Sequence, residues 1–258
     1  MPARVTKGDK LAAQLLLGNR WAPITNTLSF INAPLEEAAQ VWFDCYASSY
    51  ADNTNLRKTE LSGSLVELFS KLLPLAAGGE TMFLETVDPN WTLAVNNNAY
   101  TGPDLSSMLK LEYAEKRGVR SVIVIETPHT LDRKNYPEER GRYGSRRFLL
   151  LGPGDAVTGV YLDNEGKWSF ARGGTVLDFE DIDAYTSTLT TDRFTHDMLV
   201  DYCRHLGLDP FSEEFYVPNG RGIMIGFRGE PRPEDGYTLA EARAGREDRT
   251  VPPIERTL

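Results

Sequence analysis

The fold is decided by residues 91–130, WTLAVNNNAYTGPDLSSMLKLEYAEKRGVRSVIVIETPHT, in which two apolar runs flank a helical pattern. The first run ends in three consecutive asparagines. The second, SVIVI, is the continuous apolar run typical of a central strand that is covered on both faces. Between them, Pro103 and Asp104 suit the first turn of a helix that ends at Gly118. This order predicts a β-α-β crossover that joins two neighbouring parallel strands near residues 91–126.

The rest of the chain predicts further helices and several antiparallel strands. Helical spacing of apolar residues follows Pro34, Ser64 and Thr191, and strand-like runs include TMFLETV, RFLLLG, VTGVYLDN, KWSFARGG and GIMIGFRG. The tight turns DPN and NEG favour hairpins. The predicted fold class is therefore α+β, with a mixed, mainly antiparallel sheet and packed helices. We expect the core to bury Trp42, Leu68, Met108, Val124 and Leu199.

Three regions are predicted along the 258 residues. Residues 1–23 form an N-terminal lead-in, and residues 24–230 form a single α+β domain or two packed halves that divide near residues 130–147. Residues 231–258 are rich in Pro, Glu and Arg, which predicts a loosely ordered tail whose removal from residue 238 onward leaves the fold intact.

Composition excludes several classes of protein. The formal net charge of −9 and the pI near 5.0 argue against general nucleic-acid binding, because the phosphates would be repelled. No apolar run reaches the roughly 18 residues of a membrane span, so we expect a soluble protein without a membrane partner. The two cysteines, Cys45 and Cys203, lie in apolar helical patterns typical of buried reduced thiols, which favours a cytoplasmic location.

A ligand site is predicted where the two strands of the crossover end. Parallel neighbours would bring the asparagines and His129 to one crevice, where Glu126 could orient the His129 ring and the helix start could bind an anion. Arginine side chains from the basic segment 132–147 could converge on the same phosphate or carboxylate. The candidate ligand-binding residues are Asn96, Asn98, Tyr100, Asp104, Glu126, His129, Arg142 and Arg146. Because they lie at exposed strand ends, we expect Asn98→Ala, His129→Ala and Arg146→Ala to change stability little.

Ordinary loops are the alternative to this site. Asparagine is a good turn residue, so NNNAYTGPD could cap its own backbone, and the arginines could pair with the acidic surface. No metal or cofactor is predicted. The chain contains no GxxxxGK, GxGxxG, GxSxG, HExxH or paired CxxC motif, and the stripe of Asp197, Asp201 and His205 is what the polar face of a helix presents anyway.

A second surface is predicted from the uneven distribution of charge. Residues 132–147 carry six basic and three acidic residues, whereas residues 155–201 carry ten acidic and three basic residues. Such an acidic surface could cover a basic protein partner. The candidate partner-binding residues are Asp178, Glu180, Asp181 and Asp183.

The runs WTLAVNNNAYTGPDLSS, GVRSVIVIETPHT, GRYGSRRF and DRFTHDMLVDYCRHLGLDPF resemble a group of uncharacterised bacterial proteins of about this size. The resemblance covers about residues 24–228. It implies a bacterial or phage accessory protein, and it supplies no catalytic residues.

Two functions remain open at this point, and the sequence does not decide whether the protein is an enzyme. The first is a non-enzymatic, immunity- or inhibitor-like interaction protein that binds a basic partner through its acidic surface. The alternative is an enzyme or sensor that binds a small anionic ligand, such as a nucleotide, in the crevice near Asn98 and His129.

Overall fold

A nine-stranded sheet forms the centre of the fold in the computed structural model, which describes residues 15–49, 55–76, 80–98, 105–131, 141–154, 157–227 and 236–243. The strands lie in the order β2-β9-β3-β4-β1-β5-β6-β7-β8, and every ladder between them is antiparallel. Their bounds are β1 Thr27–Ile31, β2 Leu56–Ser62, β3 Thr81–Glu85, β4 Thr92–Asn96, β5 Ser121–Thr127, β6 Ser145–Leu151, β7 Val157–Asn164, β8 Trp168–Gly173 and β9 Arg221–Phe227.

Helices pack on both faces of this sheet. The α-helices are α1 Leu35–Ser49, α2 Leu65–Ser70, α3 Ser106–Met108, α4 His196–His205 and α5 Leu239–Arg243, and a π-helical segment, Leu109–Glu115, continues α3. Short 3-10 helices occupy Asn19–Trp21, Ile24–Asn26, Ala184–Thr186, Thr190–Asp192 and Glu213–Phe215. The α+β fold class predicted from the sequence is confirmed.

Local sequence signals explain where the helices begin. The Ser64 hydroxyl accepts a hydrogen bond from the Glu67 N–H, and the Glu67 carboxylate accepts one from the Ser64 N–H, which together cap α2. The Thr195 hydroxyl caps α4 by accepting from the Met198 N–H. Pro34 occupies the start of α1, where its carbonyl accepts from the Ala38 N–H.

The predicted crossover of neighbouring parallel strands is not confirmed, because β1 lies between β4 and β5. Ser29 of β1 pairs with Ala94 of β4 on one side and with Ile123 of β5 on the other, and both pairings are antiparallel. Strands β4 and β5 therefore run in the same direction but are one strand apart. The prediction that residues 93–95 neighbour residues 122–125 is wrong, although residues 122–125 do lie in a strand.

Alternation along the strands divides the core into two layers. On the α1 face, α1 and the π-helical segment cover apolar side chains that include Ile31, Ala94, Ile123 and Ile225. On the α4 face, α2, α4 and the N-terminal segment cover Leu28, Phe30, Leu93, Val95, Val122 and Val124. Of the predicted core residues, Trp42, Leu68, Val124 and Leu199 are buried, whereas Met108 is half-buried.

The C-terminal helix α5 docks on the domain. Ala242 is fully buried, and its carbonyl accepts two hydrogen bonds from the Arg142 guanidinium at 2.9 and 3.0 Å. Tyr237, just before α5, forms a β-bridge with Leu75. Residues 236–243 are therefore attached to the core, while the other predicted tail residues lie outside the described part of the chain. Among the described residues, no helix combines the length and the apolar character needed to cross a membrane.

Candidate functional site

The predicted ligand residues that the structure describes lie along one edge of the sheet, which we call the carboxyl edge because β4 and β5 end there. Strand β1 begins at this edge, where Thr27 pairs with Ile125, and β6 begins there, where Ser145 pairs with Thr127. Two strand spacings separate β4 from β5, which corresponds to about 10 Å. The asparagines and Glu126 thus share an edge without being direct neighbours.

The two strand ends present their polar side chains to opposite faces. In β4, Leu93 and Val95 contribute to the core of the α4 face, so alternation directs Asn96 to the α1 face. In β5, Val122 and Val124 pack on the α4 face, so Glu126 points to that same side. Asn96 and Glu126 therefore do not converge on one crevice.

Glu126 and Arg146 form a buried ion pair on the α4 face. The residues face each other across β5 and β6, and two hydrogen bonds of 2.7 Å join the guanidinium to the carboxylate. Each side chain is only 3% exposed. The remaining Nη1 of Arg146 donates to the Phe194 carbonyl at 2.9 Å. This pairing satisfies the buried charge internally, as burial of a charge requires.

His196, rather than His129, is the histidine that contacts Glu126. Its Nδ1 lies 3.4 Å from Glu126 Oε2, and its ring packs against Phe211 with centroids 4.9 Å apart. When Nδ1 carries the proton and donates to the carboxylate, Nε2 is left as an acceptor on a side chain that is 25% exposed. Within the described residues, the ring forms no other hydrogen bond.

His129 belongs to a separate aromatic cluster. Its Nδ1 accepts a hydrogen bond from the Gly144 N–H at 3.1 Å, and its ring lies 5.9 Å from Trp168 and 6.2 Å from Tyr143. A Cβ at Gly144 would lie 2.4 Å from Cη2 of Trp168, so a larger residue would require the Trp168 ring to move. The histidine is exposed and is positioned by this loop.

Two residues of the asparagine run accept backbone hydrogen bonds within the described part of the chain. Asn96 Oδ1 accepts from the Asn98 N–H at 2.8 Å, and Asn97 Oδ1 accepts from the Glu80 N–H at 3.2 Å. The Asn97 carbonyl also accepts from the Ala76 N–H at 2.8 Å. These bonds give Asn96 and Asn97 structural roles at the end of β4.

Arg142, Tyr100 and Asp104 are the remaining predicted ligand residues. Arg142 donates two side-chain hydrogen bonds to the Ala242 carbonyl, which helps to hold α5. Tyr100 and Asp104 lie outside the described residues. In the described part of the chain, no cluster of three His, Cys, Asp or Glu side chains could hold a metal ion.

The predicted partner-binding residues lie on a long segment between β8 and α4, residues 174–192, which we call the acidic loop. Asp178, Asp181 and Asp183 are exposed, as is Asp192 near its end. Glu180 differs, because its side chain is fully buried. It therefore anchors the loop and does not belong to the exposed acidic surface.

Four donors surround the Glu180 carboxylate. Arg172 donates to both oxygens at 2.8 and 3.1 Å, the Leu177 N–H donates at 2.8 Å, and the Tyr185 hydroxyl donates at 3.0 Å. Burial alone would raise the pKa of Glu180, but these hydrogen bonds hold it below its ordinary value. The Tyr202 hydroxyl of α4 accepts a hydrogen bond from the Asp181 N–H at 2.8 Å, so α4 also helps to hold the acidic loop in place.

Reasoning from the sequence missed His196 and Arg172. His196 stands 70 residues from Glu126, and neither residue belongs to a recognisable motif. Arg172 lies in the alternating pattern of β8, and its pairing with Glu180 depends on how the acidic loop folds back over the sheet. The sequence LDFEDIDAY of residues 177–185 alternates acidic with apolar and aromatic residues, and nothing in it distinguishes Glu180 from the neighbouring aspartates.

Comparison with known proteins adds no further assignment. No family model, no curated protein and no solved structure matches this chain.

Proposed function

We propose that the protein is a non-enzymatic, immunity- or inhibitor-like protein that binds a basic protein partner through the acidic loop. The observation that supports this proposal is the composition of the loop surface. Residues 174–192 contain five acidic residues, of which four are exposed, and no Lys, Arg or His. The same segment exposes Val176, Ile182 and Leu189 by 51%, 53% and 54%.

Exposed aliphatic side chains among carboxylates suit a protein partner. The aliphatic groups gain free energy when a partner removes them from water, at about 25 cal/mol per Å² of apolar surface. The carboxylates select a partner of opposite charge and accelerate its approach. The formal net charge of the whole protein is −9, which adds to the attraction of the loop carboxylates for a basic partner.

The loop is held in place before any partner arrives. Beside the Glu180 anchor, the Phe179 ring stacks on His205 with centroids 5.0 Å apart and packs against Tyr202 at 5.7 Å. Asp178, Asp181 and Ile182 flank these two anchored residues. Because little conformational entropy is lost when a prearranged surface binds, this arrangement supports tight association.

The alternative, a small anionic ligand in the crevice near Asn98 and His129, has less support. It needs arginines that can turn toward the ligand, but Arg146 is bound to Glu126 and to the Phe194 carbonyl. Arg142 is bound to the Ala242 carbonyl. A thermal-shift screen against nucleotides tests this alternative. A nucleotide that binds there should raise the free energy of unfolding by about 2.7 kcal/mol at a concentration one hundred times its Kd, and so raise Tm.

Affinity capture from lysate of the source cells tests the proposed function. We expect the protein to recover a basic protein in stoichiometric amount, and we expect Asp178→Lys combined with Asp183→Lys to lose it. Charge reversal at Asp44 and Glu115, two exposed acidic residues of the α1 face, serves as the matched control and should retain the partner. The proposal fails if no basic protein is recovered, or if both double variants recover it equally.

A further inference from the structure

Strand β2 is an edge strand whose outer side pairs with no other strand in the described part of the chain. It lies at the opposite end of the strand order from β8, which precedes the acidic loop. Helix α1 packs chiefly on β9 and β3, inside this edge strand. An open edge presents a row of backbone donors and acceptors to which another strand can bind.

Hydrogen bonding to β9 determines which residues of β2 face outward. The β2–β9 register continues one residue beyond the strand, where the Gly63 N–H donates to the Gly220 carbonyl at 3.3 Å. In an antiparallel ladder, the N–H and C=O of one residue point to the same side, and those of the next residue point to the other side. The odd-numbered residues of β2 therefore bond to β9. The even-numbered residues, which include Lys58 and Glu60, direct both backbone groups outward.

The open part of this edge is the middle of the strand. At its start, the Leu56 carbonyl already accepts a hydrogen bond from Arg57 Nη1 at 2.9 Å. The backbone groups of Lys58 and Glu60 bond to no other group that the structure describes. A second strand can therefore pair with β2 most readily at these two residues.

Charge selects one register for the pairing of two copies of β2. Copies related by a two-fold axis pair antiparallel, and each outward residue then faces an outward residue of the other copy. With the axis at Thr59, Lys58 of each copy faces Glu60 of the other, with about 5.5 Å between their Cα atoms. An axis at Lys58 or at Glu60 places like charges directly opposite each other, which is destabilising. Axes farther along the strand shorten the ladder.

Lys58 and Glu60 can make this contact while keeping the partners that they have. The Lys58 ammonium donates to Gln40 Oε1 at 3.0 Å, which uses one of its three donors. The Glu60 carboxylate lies 3.5 Å from the Arg221 guanidinium, and its side chain is 71% exposed. The backbone groups supply the hydrogen bonds between the copies, and the two charges determine the register.

We propose that β2 pairs with β2 of a second copy of this chain about a two-fold axis at Thr59, which joins the two sheets into one. Two acidic proteins can approach at this edge, because residues 56–62 carry two basic residues and one acidic residue. Interfaces smaller than about 1,200 Å² are weak, and a single edge strand is small, so we expect a dimer that depends on protein concentration. This surface is separate from the acidic loop, so either proposal can fail while the other stands.

Sedimentation equilibrium from micromolar to millimolar protein concentration tests the dimer. We expect Lys58→Glu to weaken dimerisation by about tenfold, because it places like charges opposite each other at two symmetric positions. Adding Glu60→Lys to that variant restores opposite charges and should restore dimerisation. Lys167→Glu is the matched control, because it makes the same change of charge at an exposed residue beside β8 and should leave dimerisation unchanged.

Amide exchange of the unsubstituted protein tests the register without any variant. We expect the Lys58 and Glu60 amides to exchange rapidly in dilute solution and to become protected as the protein concentration rises. The Thr59 amide should be protected at both concentrations, because it bonds to β9.

Four results would overturn the proposed dimer. The first is a protein that stays monomeric at millimolar concentration. The second is equal weakening of dimerisation by Lys58→Glu and Lys167→Glu. The third is a folded double variant that dimerises as weakly as Lys58→Glu alone. The fourth is rapid exchange of the Lys58 and Glu60 amides at a concentration where the unsubstituted protein is dimeric.

Discussion

At the scale of single residues, the Glu126–Arg146 ion pair overturns one expectation from the sequence. Arg146 lies at a strand end, which suggested that its removal would spare the fold, but its side chain is 3% exposed. We expect Arg146→Ala to lower the free energy of unfolding by about 3–5 kcal/mol, because it leaves the Glu126 carboxylate buried without its guanidinium partner. Urea denaturation measures this loss.

A double variant distinguishes the charge effect from loss of packing. Glu126→Leu combined with Arg146→Met removes both charges and keeps much of the volume, so most of the stability should return. Equal instability of the single and double variants would mean that the ion pair itself is not the cause.

Val124 tests the core at the same scale. It is 1% exposed in the central strand β5, so Val124→Ala should lower the free energy of unfolding by about 1–3 kcal/mol through lost burial and a residual cavity. Val66 of α2 is 43% exposed, and Val66→Ala should change the same quantity by less than about 0.5 kcal/mol. Similar effects of the two substitutions would contradict the assigned core.

Burial of individual apolar residues was predictable, whereas polar pairing was not. The burial of Trp42, Leu68 and Leu199 follows from helical spacing, which is a local property of the sequence. The contact between Glu126 and His196 depends on where α4 docks against β5 and β6. Nearness in sequence favoured His129 instead, because no local pattern encodes that docking.

At the scale of elements, the acidic loop should loosen when Glu180 loses its charge. The hydrogen bonds lower the pKa of Glu180 below its ordinary 4.5, so their contribution to stability is full above that value and is lost as pH falls through the lowered value. We expect hydrogen-exchange protection of residues 174–192 to persist at pH 5 and to fall in more acidic solution. Glu180→Gln should reduce that protection at neutral pH.

The central sheet provides the matched control for this experiment. Strands β1, β4 and β5 should keep their hydrogen-exchange protection in the Glu180→Gln variant, because none of them contacts the carboxylate. Uniform loss of protection across both regions would show that Glu180 supports the whole fold and does not specifically anchor the loop.

The order of the strands could be predicted only in part. The meander of β6, β7 and β8 and the hairpin of β3 and β4 follow from tight turns, which are local signals. The insertion of β1 between β4 and β5 joins residues more than 60 positions apart, and that pairing has no local signature. The prediction of one crevice at the ends of β4 and β5 depended on these strands being neighbours, and the position of β1 between them removes that basis.

At the scale of the whole molecule, the docking of α5 predicts that the C-terminal segment supports stability. Removal of residues 238–258 deletes the buried Ala242 and the carbonyl that binds Arg142. A loss of about 2 kcal/mol would lower Tm by about 4–8 °C in a protein of this size. A truncation that removes only residues 244–258 keeps α5, so the difference in Tm between the two truncations measures the contribution of residues 238–243. An unchanged Tm on removal of residues 238–258 would contradict docking.

We propose that the acidic loop is the surface that binds a basic partner. Hydrogen exchange of the protein, free and in complex with the protein that it captures, tests this claim most directly. We predict that complex formation increases protection within residues 174–192, while strands β2 and β9, at the other end of the sheet, exchange as they do in the free protein. Unchanged exchange in residues 174–192, with new protection elsewhere on the surface, would contradict the claim.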